Sequence, residues 1–231
     1  MTAFPRYAIY YVPVAGDPLY QLGAQVLGYD GYTGDAIGFP REMTRRVSDW
    51  SEVTSDPRKY GFHATLKAPF ALRTGRTEAE LLKFFAAFAA PATPEIPLVV
   101  SSISSFIAAI PSSPSAQLSA LAQTCVEAFD EFRAPLAEHD RARRRPDRLS
   151  ARQLAYLDRW GYPYVAAEFR FHMTLTGSLP RERHETIVPL LQELFADITA
   201  TPRPIDRIAL FYQPDAASRF RIIAERALSA R

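Results

Sequence analysis

Two stretches of the 231-residue chain carry residue types whose spacing suits proton-transfer chemistry. GFHATLKAPF holds His63 and Thr65. RFHMTLTGSL holds His172 and Thr174, repeating the same Phe-His-X-Thr-Leu pattern 172 − 63 = 109 residues later. Both read as apolar, strand-like runs, and in a strand residues i and i+2 point to one face. Each stretch then presents an imidazole beside a hydroxyl. One face collects Gly61, His63, Thr65 and Lys67 on the first run and Arg170, His172, Thr174 and Thr176 on the second. The opposite face is apolar in both: Phe62, Ala64 and Leu66, then Phe171, Met173 and Leu175. A lone strand histidine is ordinarily a hydrogen-bonded structural residue, but the same neighbours around two of them argue for a shared task.

Histidine titrates near neutrality, so one imidazole can remove a proton while the other donates one. The threonine hydroxyls, helped by Lys67 or Arg170, suit the non-bridging oxygens of a phosphate. A base, an acid and donors on the phosphoryl group are the parts that cleavage of a phosphodiester or opening of a cyclic phosphate needs. A metal centre fits less well: Glu168 is the one carboxylate beside either motif, and the spacing differs from His-Glu-X-X-His or His-X-His ligand sets. No metal and no cofactor is expected. His139 and His184 lie among charged residues on expected helices and are assigned to the surface. Cys125, within LAQTCVEAF, reads as a small buried residue rather than a nucleophile. A single cysteine excludes a disulfide within the monomer and a cysteine-rich zinc site.

The elements that must position these residues follow in order. RYAIYYVP (6–13) is a strand stopped by Pro13, and 17–30 is a short helix ending near Gly28. The glycine- and aromatic-rich segment after it is loop-like. The first motif strand occupies 55–72, entered through a turn at Pro57 and left at Pro69. Thr77 and Glu80 form a capping box for a helix that runs to Pro91, and 98–111 is one or two strands. A helix with Leu118, Leu121, Cys125, Phe129 and Phe132 on one face follows. The charged segment from Ala137 contains a basic run at 141–148, read as a solvated helix face or linker rather than a phosphate-backbone site, because the formal net charge is only +2. After a turn at Gly161 and Pro163 the order repeats: motif strand EFRFHMTLTGSL, helix 181–198, strand 206–214, a turn around PDAAS and a last strand. Strand–helix–strand around each histidine describes a duplicated unit with strands paired about a pseudo-twofold axis. The first strand would cross over to complete one of the sheets.

Hydrophobic content of 48% and charged content of 23% are ordinary for a globular chain of this length. The first residues show no basic-then-apolar signal pattern, and the longest apolar stretch is broken by prolines and Glu95, so no membrane segment and a cytoplasmic location are expected. No protein partner is implied.

At His63-Ala64-Thr65-Leu66 and His172-Met173-Thr174-Leu175 the sequence resembles the two-histidine (2H) phosphoesterase superfamily, whose members carry two His-X-Thr/Ser-hydrophobic motifs, one per lobe. The superfamily includes 2′-5′ RNA ligase-like enzymes and cyclic nucleotide phosphodiesterases. RYAIYYVP, DPRKYGFHATLKAPF, LSARQ, RWGYPY and EFRFHMTLTG are similar to one bacterial branch of unknown function, often encoded near phosphonate-utilisation genes. The resemblance spans nearly the whole chain. It implies an α+β fold over 1–231, a single bilobal domain with lobes built around 55–111 and 166–228, in which two antiparallel sheets flank a central cleft and helices cover the outer faces. It implies that His63 and His172 are acid and base and that Thr65 and Thr174 hold phosphate, without metal. The substrate would be a small phosphate ester, a nucleotide or an RNA end. Tyr10, Tyr11, Phe106 and Tyr212 are candidates to stack on a substrate base, with apolar packing as the alternative role for each. Face parity and proximity add Lys67, Arg58 and Arg170 as substrate-binding candidates. Two other readings stay open: a module that grips phosphate esters or RNA ends without turnover, and an RNA-processing factor using the basic run.

Overall fold

The computed structural model describes residues 3–229. The aromatic and branched run RYAIYY forms β1 (Arg6–Tyr11), buried from Tyr7 onward. Asp17 caps α1 (Pro18–Leu27) by accepting from the Leu19 amide, and Gly28 ends it in the left-handed conformation. The stretch expected to be loop holds two short helices, α2 (Arg41–Arg46) and α3 (Trp50–Val53). At six and four residues they are too short to show a helical period. Pro57 lies within a third short helix, α4 (Ser55–Arg58), so the first motif strand, β2 (Ala64–Ala71), begins later than its sequence run. The Thr77–Glu80 capping box is present at the head of α5 (Glu78–Ala87).

Residues 98–111 divide into two strands, β3 (Leu98–Ile103) and β4 (Phe106–Pro111), around Ser104 at φ 53. Then come α6 (Ala116–Ala128), α7 (Glu138–Arg143) and α8 (Ala151–Trp160). The second motif yields only a two-residue strand, β5 (Met173–Thr174). The chain closes with α9 (Arg181–Thr199), β6 (Arg207–Gln213) and β7 (Arg221–Ala227).

The architecture is α+β and the strands are antiparallel, but the two expected sheets are one. Seven strands lie in the order β3-β4-β5-β2-β1-β6-β7. The halves join where β2 meets β5, and the ladder there is a single pair, Ala64 opposite Met173. These are the middle residues of the two motifs, both fully buried. The first strand runs between β2 and β6, as its crossover role requires. The β3–β4 hairpin, which follows the first motif in sequence, pairs with the second motif strand β5. The half-sheets therefore interleave the two sequence repeats. Helix α9 packs on β3 and β4, α6 on β2 and α5 on β7. Among the described residues no helix is long and apolar enough to cross a membrane.

Candidate active site

The single pair at the seam determines which motif residues share a face. Antiparallel partners directly opposite one another point the same way. Continuing the Ala64–Met173 register by one residue on each side sets His63 across from Thr174 and Thr65 across from His172. The four polar side chains alternate in a square on one face, while Ala64 and Met173 point to the other.

Both imidazoles are held in the same way. His63 Nδ1 donates to the Gly61 carbonyl at 2.9 Å, and His172 Nδ1 donates to the Arg170 carbonyl at 2.7 Å. A carbonyl only accepts, so each Nδ1 carries the hydrogen and each Nε2 is bare. At His63 that Nε2 accepts the Thr65 hydroxyl at 3.2 Å. Gly61 stands at φ 73, a conformation that a side chain would oppose, and this turns its carbonyl toward His63. Tyr10 stacks on the His63 ring at 3.8 Å, and Phe106 lies 5.4 Å from the His172 ring. Burial pushes the His63 pKa down to about 4, with the nearby His172 opposing a second positive charge. Burial also lowers that of His172. Near neutral pH both rings are uncharged bases.

A cleft of about 430 Å³ opens beside them. Thr65 and His172 line it directly; His63 reaches it through its bond to Thr65. Of the residues expected to contact substrate, Arg170 and Phe106 line it too. The others do not. The Lys67 ammonium is buried, donating to the Val126 carbonyl at 2.8 Å and to Asp130 at 3.2 Å, and burial lowers its pKa to about 8. Arg58 is a staple: it donates to the carbonyls of Leu27 and Ser51 and to the Thr54 hydroxyl. Tyr10 is buried under His63, Tyr11 packs on Phe171 at 5.9 Å, and Tyr212 packs on Tyr7 at 5.5 Å. These three take the packing role that the sequence also allowed. Parity misplaced Lys67 because β1 and β2 shift register between Ile9 and Tyr10, just where Lys67 pairs.

Residues that the sequence reading did not select complete the cleft. Tyr162 and Tyr164 stand on its wall, and Tyr164 is 47% exposed. The Gly-Tyr-Pro-Tyr turn was the available signal, an aromatic pair in a rigid loop. Glu168 also lines the cleft, with its carboxylate accepting from Gln153 at 3.0 Å. Among the described residues, no three His, Cys, Asp or Glu side chains come together as metal ligands.

A family model described as "Protein of unknown function (DUF1045)" matches residues 65–221, and the chain belongs to that family. The resemblance to a bacterial two-histidine branch of unknown function agrees with it. Two curated relatives are both called ribose 1,5-bisphosphate phosphokinase PhnN. The one from Janthinobacterium sp. (strain Marseille) is 38% identical over 217 residues, covering 89% of this chain and 47% of its own. The one from Laribacter hongkongensis (strain HLHK9) is 34% identical, covering 94% and 50%. The chain thus spans about half the length of these relatives. Among solved structures, E. coli LigT complexed with 3′-AMP aligns over 98% of this chain and 99% of its own, at 13% identity and a TM-score of 0.49. A structure described as a phosphoesterase aligns over 97% and 98%, at 14% identity and a TM-score of 0.44. Likeness at that level carries no functional weight.

Proposed function

We propose that the chain is a phosphodiesterase that opens a cyclic phosphate, or cleaves a phosphodiester, by acid–base catalysis between His63 and His172 without metal. The observation that carries the reading is the square of two imidazoles and two hydroxyls at the seam, with both Nε2 atoms bare. A binding site needs donors; it does not need two titratable groups set across a ladder pair.

The two histidines divide the work by their surroundings. His63, held near a pKa of about 4 and opposed by charge on His172, stays neutral and is the base. His172 takes up the proton first and is the acid. An anionic phosphate in the cleft raises the pKa of a neighbouring imidazole, which charges His172 when substrate binds. His63 then removes a proton from the attacking water, and His172 Nε2 delivers one to the departing sugar oxygen. Thr65, Thr174 and Arg170 donate to the non-bridging oxygens, and Phe106 and Tyr164 flank the organic part of the substrate. The branch that the motifs resemble, often encoded near phosphonate-utilisation genes, supports a role in phosphonate metabolism by association. The kinase activity in the relatives' names is not proposed for this chain: its sequence has no Gly-Lys dipeptide, which a phosphate-cradling loop of the Gly-X4-Gly-Lys type requires.

The test is hydrolysis of 2′,3′-cyclic nucleotides, ribose 1,2-cyclic phosphates and a short 2′-5′ oligonucleotide, followed by phosphorus NMR with EDTA present. Turnover should survive EDTA, and His63→Ala and His172→Ala should each lower kcat at least ~100-fold, the usual worth of a positioned proton-transfer group. Near-full activity in both variants would refute the assignment. No product from any compound, with a phosphate ester still held in the cleft, would turn the reading to a binding module.

A further inference from the structure

A second cavity, of about 210 Å³, shares the wall formed by Ala68, Tyr162 and Val165 with the catalytic cleft. Its lining is strongly cationic: Arg6, Lys67, Arg133, Arg143 and Arg144, with Asp140 as the one carboxylate. Asp130 partners Lys67 and Arg133 from behind, so five cations against two carboxylates leave a formal excess of three. Two of these arginines come from the basic run whose sequence reading was a solvated face. Helix α7 and the turn after it bring Arg143 and Arg144 to the cavity instead. Arg144 lies over the Tyr162 ring, its guanidinium carbon 4.9 Å from the centroid, and Tyr162 is the wall between the two spaces. The positive charges of Arg6 and Arg144 are close enough to act on the buried phenol of Tyr10, whose ring supports His63. The excess charge therefore lies next to the site.

We propose that this cavity is a subsite for a phosphate monoester carried by the substrate at a position remote from the bond that is cleaved. A monoester is close to a dianion at neutral pH, with three acceptor oxygens, and forked guanidiniums match it. A cavity of about 210 Å³ fits one such group. A nucleic-acid backbone would need an open basic track instead, and the formal net charge of +2 supplies no such field. The proposal rests on the phosphodiesterase reading and narrows it to substrates with two phosphorus centres, one in the scissile diester and one terminal. Arg143 and Arg144 are the specificity-determining pair: they are adjacent in the chain and reach the cavity together from the end of α7. Arg6 and Arg133 serve the fold as well, through Gln213 for the first and Asp130 and two backbone carbonyls for the second, and Arg143 is paired with Asp140 at 4.0 Å on the same wall.

Two measurements on the whole chain test this, and the ratio between matched ligands is the readout. The first compares kcat/KM for adenosine 2′,3′-cyclic phosphate with that for the same compound bearing a 5′-phosphate. The wild type should prefer the phosphorylated compound by about ten-fold or more, the worth of one or two charge-assisted hydrogen bonds. Arg143→Ala/Arg144→Ala should bring the ratio toward one. The second uses calorimetry on His172→Ala, which needs no turnover: 5′-AMP should bind at least ten-fold more tightly than adenosine, and adding Arg143→Ala/Arg144→Ala should erase the difference. If nothing is hydrolysed but the binding ratio behaves as stated, the phosphodiesterase reading falls and the anion subsite stands. No preference in either measurement with Arg143 and Arg144 both present overturns the subsite. So does affinity that climbs steadily with oligonucleotide length and falls steeply with salt, because the basic run would then be a polyanion surface.

Discussion

Hydrogen bonding and burial at single side chains decide what each of the motif residues can do. Both histidines have folded pKa values below 6.5, with His63 near 4. The productive state has His172 charged and His63 neutral. Its population grows as pH falls through the depressed pKa of His172 and is lost as His63 protonates. We therefore expect kcat/KM to follow a bell with its maximum between pH 4 and 6.5 and to decline toward neutrality. Because bound phosphate raises the His172 pKa, the alkaline limb of kcat should lie above that of kcat/KM; coincident limbs would contradict this division of acid and base. Arg58 separates structure from chemistry. Its donors serve Leu27, Ser51 and Thr54 at 2.6–2.7 Å, and Arg58→Ala should cost about 2–3 kcal/mol in chemical denaturation by leaving the part-buried acceptors of Leu27 and Thr54 unpaired. A change in KM with stability intact would instead return it to the substrate site. The four motif residues were legible because their pattern occurs twice. Lys67 and Arg58 were misread because nothing in a sequence shows that a charged side chain is already committed to a partner far along the chain, as Lys67 is to Asp130.

At the scale of elements, caps and periodicity were readable and short pieces were not. Thr77 with Glu80 and Gly28 at a left-handed terminus carry local chemistry that the sequence spells out. α2, α3 and α4 depend on tertiary packing, with Trp50 fully buried and its indole donating to the Val26 carbonyl at 2.9 Å. The second motif looked like a long strand, yet only Met173 and Thr174 make ladder pairs; beyond them the Leu175 and Thr176 amides both turn to the one Ile107 carbonyl of β4, which ends the ladder. Helix α1 bears directly on the site through Gly23. A Cβ built there would meet the Phe62 ring at 2.3–2.5 Å, and Phe62 is the residue before His63. Alanine would gain about 1 kcal/mol in helix propensity, but a buried ring cannot withdraw that far and overpacking costs about 1–3 kcal/mol. Gly23→Ala should lower the unfolding midpoint and reduce kcat together. An unchanged midpoint would mean that the α1–β2 contact is softer than the distances indicate.

For the molecule as a whole, duplication was visible in the sequence while its spatial outcome was not. Repeats side by side in the chain suggest lobes side by side in space. The sheet order instead places the hairpin of the first repeat against the strand of the second, and puts β1 between β2 and β6. Such pairings join residues about a hundred positions apart, and no local pattern announces them. This interleaving has a consequence for anyone who cuts the chain. Severed between α7 and α8, the first fragment keeps β1 to β4 but lacks the strand that should lie between β4 and β2. The second keeps β5 with no neighbour, and β6 with β7. Each piece is the other's missing scaffold, and each carries one histidine and one threonine of the square. Two inert fragments that recover turnover only on mixing would make the protein a ready-made complementation pair, its catalysis a direct count of molecules reassembled.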